Sequence, residues 1–115
     1  MRGIEGRQVL MRIFLGERDR WQHHSLTDAL VELFKKEGFA GATVLHGTQG
    51  FGAHSVIHRD SILRLSEDLP VVIEVVDEEE KVRAILPVLD EMLDGGLITI
   101  EKVEVIRYRP HNRKE

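Results

Sequence analysis

Polar and apolar residues alternate along the start of the chain, with Val9, Met11, Ile13 and Leu15 in one phase and Gln8, Leu10, Arg12 and Phe14 in the other. A period of two sustained over that length predicts a β-strand. The period then changes. Leu26, Ala29, Leu30, Leu33 and Phe34 recur at helical spacing, Ser25 supplies an N-cap with Asp28 three positions on, and Gly38 supplies the stop. Extended patterns return at 43–51 and 71–76. Asp77 is placed to cap a second helix whose first turn, Glu78-Glu79-Glu80, matches the positive end of the helix dipole. The expected buried stripe of that helix is Val82, Ile85, Leu86, Leu89, Met92 and Leu93, and Gly95-Gly96 ends it. Pro87 has no N–H for the Arg83 carbonyl, which predicts a kink. A last strand is expected over 97–108, with a polar tail over 110–115.

The order β-α-β-β-α-β predicts an α+β, ferredoxin-like sandwich, a four-stranded antiparallel sheet with two helices on one face. At 115 residues the chain makes one such domain over 1–115, its core at about 8–109. Two helices cover one face of the sheet only. Yet Leu10, Phe14, Val72 and Val76 put apolar residues in the opposite phase as well. An open apolar face of this extent usually meets another protein, and self-association about a symmetry axis is the economical inference.

Composition narrows the classes. Apolar residues at 42% and charged residues at 31% suit a soluble globular domain. A net charge of −4 opposes a generic electrostatic grip on nucleic acid. The chain has no cysteine, which removes disulfides, thiolate metal sites and cysteine catalysis, and fits a reducing cytoplasm. The first seven residues lack the apolar core of a signal peptide, and no apolar run approaches the length of a membrane span. The expectation is a cytoplasmic protein that does not insert into a membrane.

Gly47, Gly50 and Gly52 stand where the second strand runs out into the polar stretch 53–66. A strand that dissolves into glycines and then a long loop is a place for function. The same glycines also serve as a β-bulge and turn that need no ligand. Their order, G-x-x-G-x-G before a loop rather than a helix, is not a dinucleotide fingerprint. Arg107 and Arg109, two apart on the expected last strand, point to one side and could share an anion. They could equally be solvated edge residues paired with carboxylates such as Glu101. His23-His24, His46, His54 and His58 raise a metal reading, since imidazole suits zinc, copper or nickel, but no carboxylate–histidine spacing is diagnostic. Glu17 to Arg20 with Trp21 reads as a charged connector whose tryptophan covers an apolar edge, or whose Glu17 lines a cleft between subunits.

Enzymatic readings lack their residues. An acylphosphatase-like hydrolase needs an asparagine to position water, and the only asparagine, Asn112, sits in the tail. No serine–histidine arrangement is identifiable by spacing. The third strand, 71–76, carries no aromatic residue on which RNA bases could stack. What remains is a non-catalytic protein.

Several segments together resemble the trimeric nitrogen-regulatory PII signalling proteins: Gly38-Phe39-Ala40-Gly41-Ala42-Thr43-Val44, Gly50-Phe51-Gly52, Leu69-Pro70, Asp94-Gly95-Gly96 and Val105-Ile106-Arg107-Tyr108-Arg109. Gly16-Glu17 and Gly47-Thr48-Gln49-Gly50-Phe51-Gly52 bring the chain closer to a PII-like family of uncharacterised proteins. The resemblance implies a homotrimer with an adenine nucleotide (ADP, ATP or an AMP-type ligand) in each intersubunit cleft and no further cofactor. By the same resemblance Thr43 and Val76 lie near the base, and Gly50, Phe51 and Gly52 border the cleft at the foot of the 53–66 loop. Gly95 and Gly96 face the phosphates, and Arg107 and Arg109 come from the neighbouring subunit.

Glycine-turn N–H groups forming an anion nest, and arginine forks on phosphate, are chemically consistent with those roles. The loop would then signal to a partner protein such as a membrane transporter, provided nucleotide binds one loop state better than the other. Gly96 departs from the lysine of typical PII proteins, and the loop has no tyrosine for nucleotidylation. The alternative is a trimeric divalent-metal-binding protein of the cation-tolerance kind.

Overall fold

The computed structural model describes residues 3–52 and 68–109. In chain order the elements are β1 (Gly6–Gly16), β2 (Arg20–Trp21), β3 (His24–Ser25), α1 (Leu26–Lys36), β4 (Thr43–His46), β5 (Pro70–Asp77), α2 (Glu79–Met92) and β6 (Leu97–Val105). β4, β5, β1 and β6 form one antiparallel sheet in that spatial order, and β2 and β3 form a separate hairpin. The fold is the expected α+β, ferredoxin-like sandwich. Among the described residues no helix is long and apolar enough to cross a membrane.

The two central strands carry the core. Met11 and Ile13 of β1 and Val71, Ile73 and Val75 of β5 are buried against Leu26, Leu30 and Phe34 of α1 and Val82, Ile85 and Leu89 of α2. Each such side chain contributes roughly 1.5–3 kcal/mol on leaving water. α1 begins as its sequence dictates, with the Ser25 hydroxyl accepting from the Asp28 N–H at 3.3 Å. Its end passes to Gly38 at φ +77°, which lets Phe39 turn back edge-on to Phe34 at a ring separation of 5.0 Å.

Four element boundaries differ from expectation. β4 stops at His46 rather than continuing to 51: the Gly47 N–H still donates to the Pro70 carbonyl opposite it at 2.8 Å, but Pro70 has no N–H to return the bond and the ladder ends. β6 stops at Val105, short of 108. The connector before α1 folds into the β2–β3 hairpin, with Gln22 and His23 both in the left-handed region at φ 49° and 69°. Finally, Glu78 and not Asp77 is the N-cap of α2, and it makes no side-chain cap bond. α2 is continuous through Pro87 from Glu79 to Met92.

Asp77 has a different task. It ends β5, is wholly buried, and accepts from the Ala40 N–H at 2.9 Å and the Glu78 N–H at 2.8 Å. The Ala40 carbonyl accepts from the Tyr108 hydroxyl at 2.6 Å. One residue before β4 is thus gripped on both sides, from the end of β5 and from the chain beyond β6.

The outer sheet face is apolar, as the strand phases predict, but has a charged centre. Leu10, Phe14, Val72 and Val76 are half-buried there, while Leu45 and Leu97 are exposed. Between them Arg12 binds Glu74 at 2.8 Å and Glu101 at 2.7 Å. The Glu74 hydrogen bond first, then that to Glu101, holds the Arg12 guanidinium above its ordinary pKa.

Asp77→Ala removes the acceptor of two peptide N–H groups and is expected to cost about 2–3 kcal/mol of unfolding free energy. Asp77→Asn keeps an amide oxygen for one of them and is expected to lose about half as much. Urea titration of both variants checks the order.

Candidate functional site

β1 fixes two ends of the sheet. At its Gly16 end lie Pro70 of β5, the Gly47–Gly50 turn after β4 and the Gly95–Gly96 turn before β6. At its Gly6 end lie Val76 and Asp77, the Ala40 peptide and the 107–109 segment. The residues singled out in the sequence divide between these ends.

At the Gly16 end, part of the glycine cluster is explained by packing. A Cβ on Gly47 would meet the Pro70 ring at 2.7 Å, and one on Gly50 would meet it at 3.1 Å. Among the described residues nothing lies within 4 Å of where a Gly52 Cβ would stand, and Phe51 beside it is 81% exposed. The described residues therefore give Gly47 and Gly50 a reason to be glycine and give Gly52 none. On the opposite edge Gly96 has φ +95°, and its missing Cβ would stand 2.7 Å from the Phe14 carbonyl oxygen. Gly95 is exposed beside it.

The segment 53–67, with His54 and His58, lies outside the described residues, and its return at Asp68 is anchored to the turn after β1. The Arg18 N–H donates to Asp68 Oδ1 at 2.8 Å, and the Glu17 N–H donates to the Leu69 carbonyl at 2.8 Å. Asp68 fits because Gly16 has no Cβ, which would stand 2.4 Å from its carboxylate. Glu17 lines a concavity of about 610 Å³ with Asp28, Glu32 and His46. Three carboxylates on its wall make that concavity unsuited to a phosphate.

At the other end, Thr43 lies opposite Glu74 on β5, and Val76 is two residues further along the same outer face. Arg107 and Arg109 follow β6 in irregular backbone, so strand alternation does not align them. Both are exposed, and Tyr108 between them ties their segment to Ala40. The Gly95–Gly96 turn and the arginines thus sit at opposite ends of β6, about 27 Å apart along a nine-residue strand. A single subunit brings Thr43 near Val76 but does not bring the arginines to the glycine turns.

Sequence reasoning missed Tyr108, Asp68 and the clamp role of Asp77. Tyr108 is the only tyrosine and lies between the two arginines, which was the available signal. No signal marked Asp68, since its partners are fifty positions away. Among the described residues no group of three or more histidines or carboxylates is arranged to hold a metal.

A four-stranded antiparallel sheet with two helices defines a ferredoxin-like α+β domain. The chain belongs to the DUF190 family, described as "Uncharacterized ACR, COG1993", whose profile matches residues 8–105. A UPF0166 protein of Aquifex aeolicus is 38% identical over 103 residues, covering 87% of this chain and 94% of the relative. A UPF0166 protein of Methanocaldococcus jannaschii is 38% identical over 99 residues, covering 85% and 91%. Among solved structures, a Thermus thermophilus protein described as a PII-like signalling protein superposes with a TM-score of 0.62 at 23% identity, covering 92% of this chain and 94% of that one. CPII from Thiomonas intermedia, bound to ADP and bicarbonate, superposes with a TM-score of 0.54 at 19% identity, covering 86% and 88%. At these identities the two structures share the fold.

Gly96→Ala combines a left-handed backbone with a backbone contact that cannot swing away, and is expected to cost about 2–3 kcal/mol. Gly16→Ala meets only a movable carboxylate, so its expected cost is about 1 kcal/mol, with the Asp68–Arg18 bond lost. Thermal unfolding separates the two, and hydrogen exchange at the Arg18 amide reports the broken bond.

Proposed function

We propose that this protein is a PII-like regulatory homotrimer that takes an adenine nucleotide in the cleft between neighbouring subunits. It acts as a binding and switching protein rather than an enzyme. The observation that carries the reading is the division of the candidate residues between the two ends of each sheet. Arginine forks at one end complement glycine turns at the other, and only a second copy can supply one to the other.

Electrostatics supports the same need. The Gly95–Gly96 turn follows the C-terminus of α2, the negative end of its dipole, and Asp94 adds a carboxylate. Backbone N–H groups there require added positive charge to hold a phosphate, and Arg107 and Arg109 of a neighbouring subunit supply it. The ADP bound by CPII, which has the same fold, is consistent with an adenine nucleotide as the ligand class.

In this reading Thr43 and Val76 border the base, while Gly50, Phe51 and Gly52 border the cleft where the chain departs into the 53–66 loop. Among the described residues nothing crowds Gly52 and Phe51 is exposed, which is consistent with a neighbour or ligand there. Nucleotide binding biases the loop, and the loop engages or releases a partner protein, a membrane transporter being the partner type implied. The closure of three outer faces on one another would also cover Leu10, Phe14, Val72 and Val76.

Sedimentation at micromolar concentration is expected to give a trimer, and calorimetry is expected to show heat with ADP or ATP. The paired substitution Arg107→Ala, Arg109→Ala is expected to weaken nucleotide binding by about a hundredfold while the trimer persists. A monomer in solution, or nucleotide affinity unchanged in the double variant, overturns the reading.

A further inference from the structure

On the helix layer, away from the outer sheet face, a groove of about 530 Å³ runs between α1 and α2. Its apolar wall is built by Trp21, Ala29, Leu33, Val88 and Met92. Val88 is 40% exposed, a large apolar side chain left open on a helix that otherwise turns its apolar stripe inward. The volume falls in the range of small-molecule sites, roughly 300–1,000 Å³.

Three charged residues, Glu32, Lys36 and Glu91, also line the groove, Glu32 from the ridge it shares with the concavity beside Glu17. None of them makes an ion pair or hydrogen bond among the described residues. Two carboxylates against one ammonium leave the groove net negative, with an indole in its wall.

The indole is held there by strained backbone. Trp21 precedes the β2–β3 turn, whose two central residues, Gln22 and His23, are both in the left-handed region without being glycine. Tight hairpins of this kind ordinarily use asparagine or glycine at those positions. The Arg20 guanidinium donates to the His23 carbonyl and so braces the turn. Backbone in this region persists where the surrounding structure holds it. The turn sets Trp21, partly packed on the core, along one wall of the groove, with Gln22 next to it.

We propose that this groove binds a small free organic cation with an apolar body, of the arylalkylammonium class. The ammonium sits against Trp21 and between Glu32 and Glu91, where the ring quadrupole and the two carboxylates attract the same charge. The apolar body displaces water from Leu33, Val88 and Met92. The site does not depend on the nucleotide reading, because its residues come from the hairpin and the two helices of one subunit.

Trp21 is the only tryptophan, so indole emission reports the groove and nothing else. The full chain, in its native assembly, is titrated with phenethylammonium, with neutral phenethyl alcohol and with anionic hydrocinnamate. The cation is expected to give a saturable change in emission and to bind at least about fivefold more tightly than the alcohol. The paired substitution Glu32→Gln, Glu91→Gln is expected to abolish that preference while leaving binding of the alcohol in place. Lys36→Gln is expected to tighten binding of the cation by about threefold, a gain that a misfolded variant could not produce. Circular dichroism confirms that each variant keeps the fold. The proposal is overturned if no titration saturates, if the alcohol or hydrocinnamate binds as tightly as the cation, or if the preference survives in the double carboxamide variant.

Discussion

Two helices have area enough to cover one side of a four-stranded sheet, and the rest of this structure follows from that limit. On the inner side Met11, Ile13, Val71 and Ile73 lie under Leu30, Phe34, Val82 and Leu89 with almost no exposure. On the outer side the opposite strand phase is also apolar, and nothing in the same subunit lies over it among the described residues. The one strong cation in its centre, Arg12, is already bound to Glu74 and Glu101 within the subunit. A guanidinium satisfied in this way can be covered without being left unpaired, which is the costly case for a buried charge. The outer face is therefore chemically ready for a covering layer even though it is not a simple greasy surface.

The ends of the sheet are organised by backbone hydrogen bonding more than by packing. At one end Ala40 is held through its N–H by Asp77 and through its carbonyl by Tyr108. This joins β5, the entry to β4 and the segment after β6, so Arg107 and Arg109 are tethered rather than trailing. At the other end Asp68 occupies the space left by the missing side chain of Gly16 and binds the Arg18 amide. The roots of the long excursion between β4 and β5 are thereby tied to β1 and its turn. Small residues and short polar contacts set these ends, and each pairs groups far apart in sequence.

Membership in the DUF190 family and the shared PII-like fold constrain the architecture, but a fold by itself supports many chemistries. What such a fold can bind depends on where its groups sit. Glycine turns at the Gly16 end carry N–H donors near a helix C-terminus and Asp94, an environment that opposes a phosphate unless cations arrive from elsewhere. The carboxylate-lined concavity beside Glu17 is a poorer place still for an anion. In the proposed reading, a cleft shared by two copies reconciles the donors with the arginines.

The periodicities of the chain determined the number, type and order of the principal elements, the inner core of both helices, and the apolar character of the outer face. Hydrophobic spacing is a local property, and burial on one side of a strand or helix enforces it residue by residue. Partnership is not local. Asp77 reads as a helix cap from its neighbours and becomes a clamp only because Ala40, 37 positions away, presents its N–H there. The second strand reads as continuing to Phe51, yet it stops at His46 where Pro70 meets Gly47 and Gly50. The connector before the first helix reads as a charged loop, and a braced hairpin at Gln22 and His23 turns it into one wall of a groove. Those outcomes belong to the tertiary structure, because each depends on which distant backbone or side chain fills a particular few ångströms of space.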